Sequence, residues 1–209
     1  MSSSLLIWGA GGHGRVLLDI AYGTSGIDSI AFLDDDPAKA GNIFCRCPVL
    51  GGSQRLQDYA GSRIIIAVGD NHTRARCFEH ALRSGLIALA LCHPTAIIAP
   101  SATVGPGTVV MPGAIINAGA IIGENCIINT GAIVEHDCRI SAHVHISPRV
   151  ALGGGVNVGT LAHVGLGAVV LPGATLGEGS VVGAGAVVLR EAAPHRTVVG
   201  VPAKLLSRV

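Results

Sequence analysis

Two hydrophobic periods divide this chain. Up to about residue 93, short apolar runs alternate with helically spaced ones. Leu5 to Trp8 ends in Gly9-Ala10-Gly11-Gly12-His13-Gly14, after which Arg15 to Tyr22 places apolar residues as one face of a helix would. Ile30 to Leu33 ends in Asp34-Asp35-Asp36-Pro37, and Ile64 to Val68 ends in Gly69-Asp70-Asn71. Residues 74–85 predict a second helix, and Leu86 to Leu91 a fourth strand that stops at Cys92-His93-Pro94. Strands alternating with helices at this spacing predict a small Rossmann-like α/β domain over residues 1–93, with a parallel sheet and crossover helices.

From Ile97 the period becomes six. The series opens IIAPSA, TVGPGT, VVMPGA and stays in register for sixteen hexads, to Ala192. The second place is always Ile, Leu or Val and the sixth is Ala, Ser, Thr, Cys or Val, so each hexad turns one large and one small residue inward. That is the signature of a parallel β-helix, a solenoid of stacked triangular coils with three hexads in each. The array predicts a little over five coils of eighteen residues inside a second domain, residues 94–209. The third to fifth places are corners, and most supply turn residues, as in GPG, MPG, NTG, GGG and LPG.

Composition narrows the functions available. Aromatic residues make up 3% and the formal net charge is +1, which leaves neither a stacking platform nor a basic footprint for nucleic acid. Every apolar run is interrupted long before the roughly 18 residues of a membrane span, and the Met-Ser-Ser-Ser start has no cationic segment, so a soluble, cytoplasmic protein is expected. Six cysteines without a C-x-x-C pair read as reduced core thiols, and Cys45-x-Cys47 alone is weak evidence for a metal.

Candidate chemistry sits at two places. Gly9, Gly11 and Gly14 fit G-x-G-x-x-G between a strand and a helix, with Asp34 where a ribose hydroxyl would be accepted. With only about 93 residues before the period changes, there is no room for the second half of a dinucleotide fold, so a nucleotide or nucleotide sugar is favoured over NAD. His13 adds a ring beside the phosphate path. In the solenoid, hexad IVEHDC puts Glu135-His136-Asp137 at a corner that asks for small residues, a local rule broken without structural need. His145 and His163 lie eighteen residues apart and should stack on one outer face, with His136 half a coil away. Within one chain the three cannot share a metal. If faces pack into a trimer, the His136 corner of one copy can meet the His145 and His163 face of the next. His72, His80, His143 and His195 read as surface residues.

The hexad array behind G-A-G-G-H-G, with I-N-T-G-A-I-V-E-H-D-C and V-G-V-P-A-K near the end, resembles the left-handed β-helix sugar acyltransferases of the NeuD/PglD type. The resemblance covers nearly the whole chain. It implies an acetyl-CoA-dependent N-acetyltransferase acting on a nucleotide-linked 4-amino sugar, making precursors for bacterial glycans, with no metal, in a homotrimer whose active sites lie between subunits. His136 matches the catalytic base and Asp137 the acidic residue that steadies it, with Glu135 left open as the orienting group. The nucleotide-sugar positions match Gly11, Gly12, His13, Asp34, Asp35 and Gly69, and the acetyl-CoA positions look like His145, Gly154, Leu166 and Ala184. Alternatives are O-acetylation of sialic acid or another sugar, and a non-catalytic nucleotide-sugar-binding trimer. A zinc lyase of the γ-carbonic-anhydrase kind would need a closely spaced H-x₄-H pair, which is absent, and an ice-binding solenoid a flat Thr ladder.

Overall fold

The computed structural model describes residues 4–206, which form two compact units meeting at Pro94 and Thr95. In the first unit, β1 (Ser4–Trp8), β2 (Ser29–Leu33), β5 (Arg63–Ile66) and β6 (Ile87–Ala88) make a parallel sheet in the order β2-β1-β5-β6. Two helices, α1 (Gly12–Tyr22) and α2 (Asn71–Arg83), accompany it. Leu6, Trp8, Ile64 and Ile66 on one side of the sheet pack with Phe78 and Ala81 of α2. A hairpin, β3 (Ile43–Phe44) with β4 (Cys47–Pro48), stands outside this sheet. No apolar alternation announces strands that short.

Several boundaries differ from the sequence reading: α1 begins at Gly12 rather than Arg15, and β5 ends at Ile66 rather than Val68. Helix α2 begins at Asn71 rather than residue 74, because the Asp70 carboxylate caps it by accepting the Thr73 N–H at 2.8 Å. The expected fourth strand divides: only Ile87–Ala88 joins the sheet, and Leu91–Cys92 is a separate strand.

The second unit is the β-helix. Every hexad contributes a two-residue strand from its first and second places, and strands eighteen residues apart pair in parallel, as Ile97 with Ile115 and Ile115 with Ile133. Three sheets result, one per face of the prism, and the fold is a left-handed parallel β-helix behind an α/β domain. Second-place residues such as Ile116, Val134, Leu152 and Val170 are at most 1% exposed, as are the sixth-place Ala114, Ala132, Cys138 and Ala168. Burying an aliphatic side chain of this size stabilises by about 1.5–3 kcal/mol, so the inward column carries the stability of the solenoid.

First-place residues point outward, and the faces differ. The first face presents Ile97, Ile115, Ile133, Ala151, Val169 and Val187, an unbroken aliphatic ladder. The second presents Thr103, Ile121, Arg139, Asn157, Thr175 and Glu191, and is mostly polar. The third carries His145 and His163 as partners in adjacent coils.

The six-residue register runs out one hexad sooner than the sequence suggests. Val187–Val188 is followed by a strand at Glu191–Ala192, and Glu191 pairs with Thr175, so this coil is two residues short. VVLREA is therefore not a complete sixteenth hexad. Its Leu189-Arg190 corner has no residue of positive φ, unlike the corners from Gly107 to Gly185. The V-G-V-P-A-K segment ends the solenoid as an antiparallel hairpin in which Val199 pairs with Lys204.

Candidate active site

At its fifth place a β-helix corner adopts left-handed backbone, which glycine supplies at least cost. At Glu135-His136-Asp137 that place falls to Asp137, with φ 60°, a conformation that asparagine and aspartate tolerate better than other side chains. The turn folds the carboxylate back on its neighbour, and His136 Nδ1 lies 2.9 Å from Asp137 Oδ2. Glu135 instead reaches the His136 backbone N–H, 3.4 Å from its Oε2. Asp137, not Glu135, is thus the group that orients the imidazole. With Nδ1 donating to Asp137, Nε2 is left with its lone pair outward.

Coils on either side hold this pair. Asp137 N–H donates to Ala118 O at 3.0 Å in the coil before, and Gly155 N–H donates to His136 O at 2.8 Å in the coil after. Both neighbouring coils also give way to the side chains. A methyl group on Gly154 would sit 2.5 Å from His136 Nε2, and one on Gly119 would sit 2.7 Å from Asp137 Oδ1. Gly154 is not in left-handed backbone, so the space for the ring accounts for its lack of a side chain. The imidazole is nonetheless open to solvent, its side chain 64% exposed. The hydrogen bond to Asp137 raises its pKa above the ordinary 6.5, against the opposing pull of desolvation and with the help of the charges of Asp137 and Glu135.

The other positions expected in the solenoid form separate groups within one chain. His145 and His163 stack with ring centroids 4.9 Å apart and planes 8° from parallel. Asn129 bonds His145 Nε2 at 3.1 Å and Ser147 bonds His163 Nε2 at 3.0 Å. Leu166 and Ala184 occupy equivalent places of a different corner, both exposed. Gly154 alone of the four expected acetyl-CoA positions touches the dyad. Among the described residues no cluster of three or more His, Cys, Asp or Glu is placed to hold a metal ion.

In the α/β unit, the expected nucleotide-sugar residues lie in the turns after β1, β2 and β5 and, for Gly12 and His13, in the first turn of α1. Gly11 precedes α1 in extended backbone, and its carbonyl accepts the Arg15 N–H. Gly14 must lack a side chain, because a methyl group there would collide with Gly9 O. Asp34 is committed to the protein: Oδ2 accepts the Ala10 N–H at 2.8 Å and Lys39 Nζ at 2.9 Å, and Oδ1 accepts the Asp36 N–H at 3.0 Å. Burial works against its charge, but these bonds and the Lys39 ammonium outweigh it and keep the pKa below its usual value. Asp35 likewise takes the Ser53 N–H at 2.6 Å and Trp8 Nε1–H at 3.2 Å. Gly69 O accepts from the buried Arg74 guanidinium at 3.1 Å. His13 Nε2 is buried with no hydrogen-bond partner among the described residues. Desolvation, with the Arg74 charge, lowers the pKa of His13 to about 4, so this ring is neutral at physiological pH.

The sequence reading gives no role to Lys39, Arg74 or Gly119. The eighteen-residue stacking rule could have found Gly119 beneath Asp137. Nothing in the sequence points to Lys39 or Arg74.

Residues 4–81 match the PglD N-terminal domain, and residues 95–136 match the bacterial transferase hexapeptide, six repeats. No curated protein matches the chain by sequence. Among solved structures, PerB from Caulobacter crescentus, in complex with CoA and GDP-perosamine, is 40% identical, with a TM-score of 0.91 over 98% of this chain and 97% of its own. The chain belongs to the sugar N-acetyltransferases of the hexapeptide-repeat, PglD-like family. Another member, the acetyltransferase domain of PglB from Neisseria gonorrhoeae in complex with acetyl coenzyme A, is 37% identical over 99% of this chain and 100% of its own, with a TM-score of 0.93. WeeI from Acinetobacter baumannii is 26% identical over 97% of this chain and 99% of its own, with a TM-score of 0.88. Held by Asp137 at Nδ1 and exposed at Nε2, the His136 ring can accept a proton at this corner.

Proposed function

We propose that this N-acetyltransferase moves the acetyl group of acetyl-CoA to the amine of a nucleotide-linked 4-amino sugar, by direct attack with His136 as general base. The observation that carries the reading is the His136 Nδ1–Asp137 Oδ2 bond of 2.9 Å at an exposed corner, which leaves Nε2 facing outward over Gly154. An amine attacks a thioester only through its lone pair, so the proton it sheds on forming the C–N bond needs an acceptor. His136 Nε2 receives it, and Asp137 stabilises the imidazolium. The carbonyl π electrons move to oxygen. Gly153 N–H is bonded to Val170 O and Gly155 N–H to His136 O, whereas Gly154 N–H has no backbone acceptor among the described residues. That one N–H is the corner's candidate donor to the oxyanion. Collapse of the tetrahedral intermediate breaks the C–S bond, and the imidazolium proton returns to the departing CoA sulfur.

In this reading the α/β unit binds the nucleotide sugar through the turns holding Gly11, Gly12, His13, Asp35 and Gly69, with Asp34 fixing the first turn from behind. The β-helix binds acetyl-CoA near His145, Leu166 and Ala184. Because the dyad and those residues lie on different corners and faces of one prism, the reading calls for a trimer in which one copy's corner meets another's face. The aliphatic ladder of the first face supplies a surface to bury, since exposed apolar patches of this kind mark interaction sites. All six cysteines are free thiols, the state that a reducing cytoplasm maintains.

The deciding experiment incubates the purified chain with acetyl-CoA and a panel of nucleotide sugars, GDP-perosamine and UDP-linked 4-amino sugars included, and looks for acetylated product by mass. His136→Ala should fold normally and lower turnover by ~10²- to 10⁴-fold. A wild-type rate from that variant removes the mechanism, and acetylation of a sugar hydroxyl instead of an amine corrects the substrate class. Light scattering should find a mass three times the 21.0 kDa of one chain, and a monomer would refute the shared site.

A further inference from the structure

We propose that the Cys138 thiol is a positioning group for this reaction, fixing the Gly153–Gly154 peptide so that the Gly154 N–H stays turned toward the acetyl carbonyl. The inference rests on the acetyl-transfer reading above. Cys138 takes the sixth place of the dyad's own hexad and is fully buried, and its Sγ donates to Gly153 O at 3.2 Å. Burial raises the pKa of the thiol, so it keeps the proton it donates.

A peptide unit is planar and trans, with its C=O and N–H pointing in opposite directions. Tying Gly153 O to a group inside the prism therefore sends the Gly154 N–H outward, and Gly154 is the residue over whose bare Cα the His136 ring lies. The tie matters because this peptide lies between two glycines, the residues that resist rotation of a peptide plane least. Neighbouring bonds leave that freedom in place: Gly153 N–H to Val170 O, Gly173 N–H to Gly154 O and Gly155 N–H to His136 O hold the flanking peptides, not the one between Gly153 and Gly154.

The same contact occurs at two corners without a His–Asp pair. Thr108 Oγ1 donates to Gly123 O at 2.8 Å, and Cys126 Sγ donates to Ser141 O at 3.1 Å, each fifteen residues on, as from Cys138 to Gly153. The contact by itself is a feature of the solenoid. Below the dyad it acts on the one peptide whose N–H the reaction uses, and Cys126, whose Sγ bonds Ser141 O and also Glu124 O, supplies a control with the same thiol-to-carbonyl contact.

The test compares Cys138→Ala, Cys138→Ser and Cys126→Ala in the full chain, with acetyl-CoA and GDP-perosamine or whichever amino sugar the screen identifies. Alanine is the commonest sixth-place residue here, so both alanine variants should fold. Cys138→Ala should lower kcat about two- to fivefold, the scale of a weak S–H bond, with KM for acetyl-CoA little changed. Cys138→Ser should recover most of the rate, and Cys126→Ala should match wild type. A wild-type kcat for Cys138→Ala, or an equal loss in Cys126→Ala, overturns the inference. The Gly154 amide resonance gives a readout independent of turnover: it should shift in Cys138→Ala and not in Cys126→Ala, and an unmoved resonance also overturns it. A wild-type chain that acetylates no amino sugar while the resonance shifts as expected would defeat the acetyl-transfer reading and spare the positioning.

Discussion

Asp34 in the α/β unit and Asp137 in the β-helix are both acidic residues in a glycine-rich neighbourhood, and they are used in different ways. Asp34 accepts from the Ala10 N–H, the Asp36 N–H and Lys39, so it braces one backbone turn against another. Asp137 accepts from a single side chain, His136, and its other oxygen lies over the bare Cα of Gly119. The first carboxylate is spent on shape, the second on a proton. A functional motif read as residue types cannot separate these uses, because the difference lies in where the hydrogen bonds go.

The largest expected effect of breaking this contrast is at Asp137. Asp137→Asn keeps the size but removes the charge that fixes the His136 tautomer, and kcat should fall by up to ~10⁴-fold, as for an uncoupled triad base. The pH profile supplies the sign. His136 acts unprotonated and its pKa is raised by Asp137, so wild-type kcat/KM should rise with pH through an inflection above 6.5. In Asp137→Asn that inflection should move down, because the bond and the charge that favour the imidazolium are gone. An unmoved inflection would mean the rate does not report on His136.

A smaller effect is expected at Asp34. Asp34→Ala should raise KM for the nucleotide sugar roughly tenfold, the cost of about one charge-assisted hydrogen bond within the turn, and leave KM for acetyl-CoA unchanged. Titrating the two substrates separately checks this. Equal losses for both would make the α/β unit a structural cap and erase the contrast with Asp137.

Much of this molecule is legible in its residues. A period of six sorts the positions of residues 97–192 into inward, outward and corner classes before any contact is known, and the pairing of positions eighteen apart follows from three hexads per coil. Hence the stacked His145 and His163 and the anomalous corner at His136 could be named in advance. The divided strand after Leu86, the hairpin at Ile43–Phe44 and Cys47–Pro48, and the coil shortened at Leu189-Arg190 could not. Each is two residues long at the point of departure, too short for a period to register.

What the sequence by itself determined is the prism, the α/β domain before it and the corner that carries the imidazole, because repetition and turn chemistry act locally and every repeat restates them. Only the tertiary structure decided that Asp137 rather than Glu135 bonds the ring, that Asp34 faces inward to Ala10 and Lys39, and that Cys138 reaches Gly153. Those outcomes depend on which atoms meet across adjacent coils or neighbouring turns. A hydrogen bond is settled by tenths of an ångström and by angle, and a pattern of residue types does not carry that information.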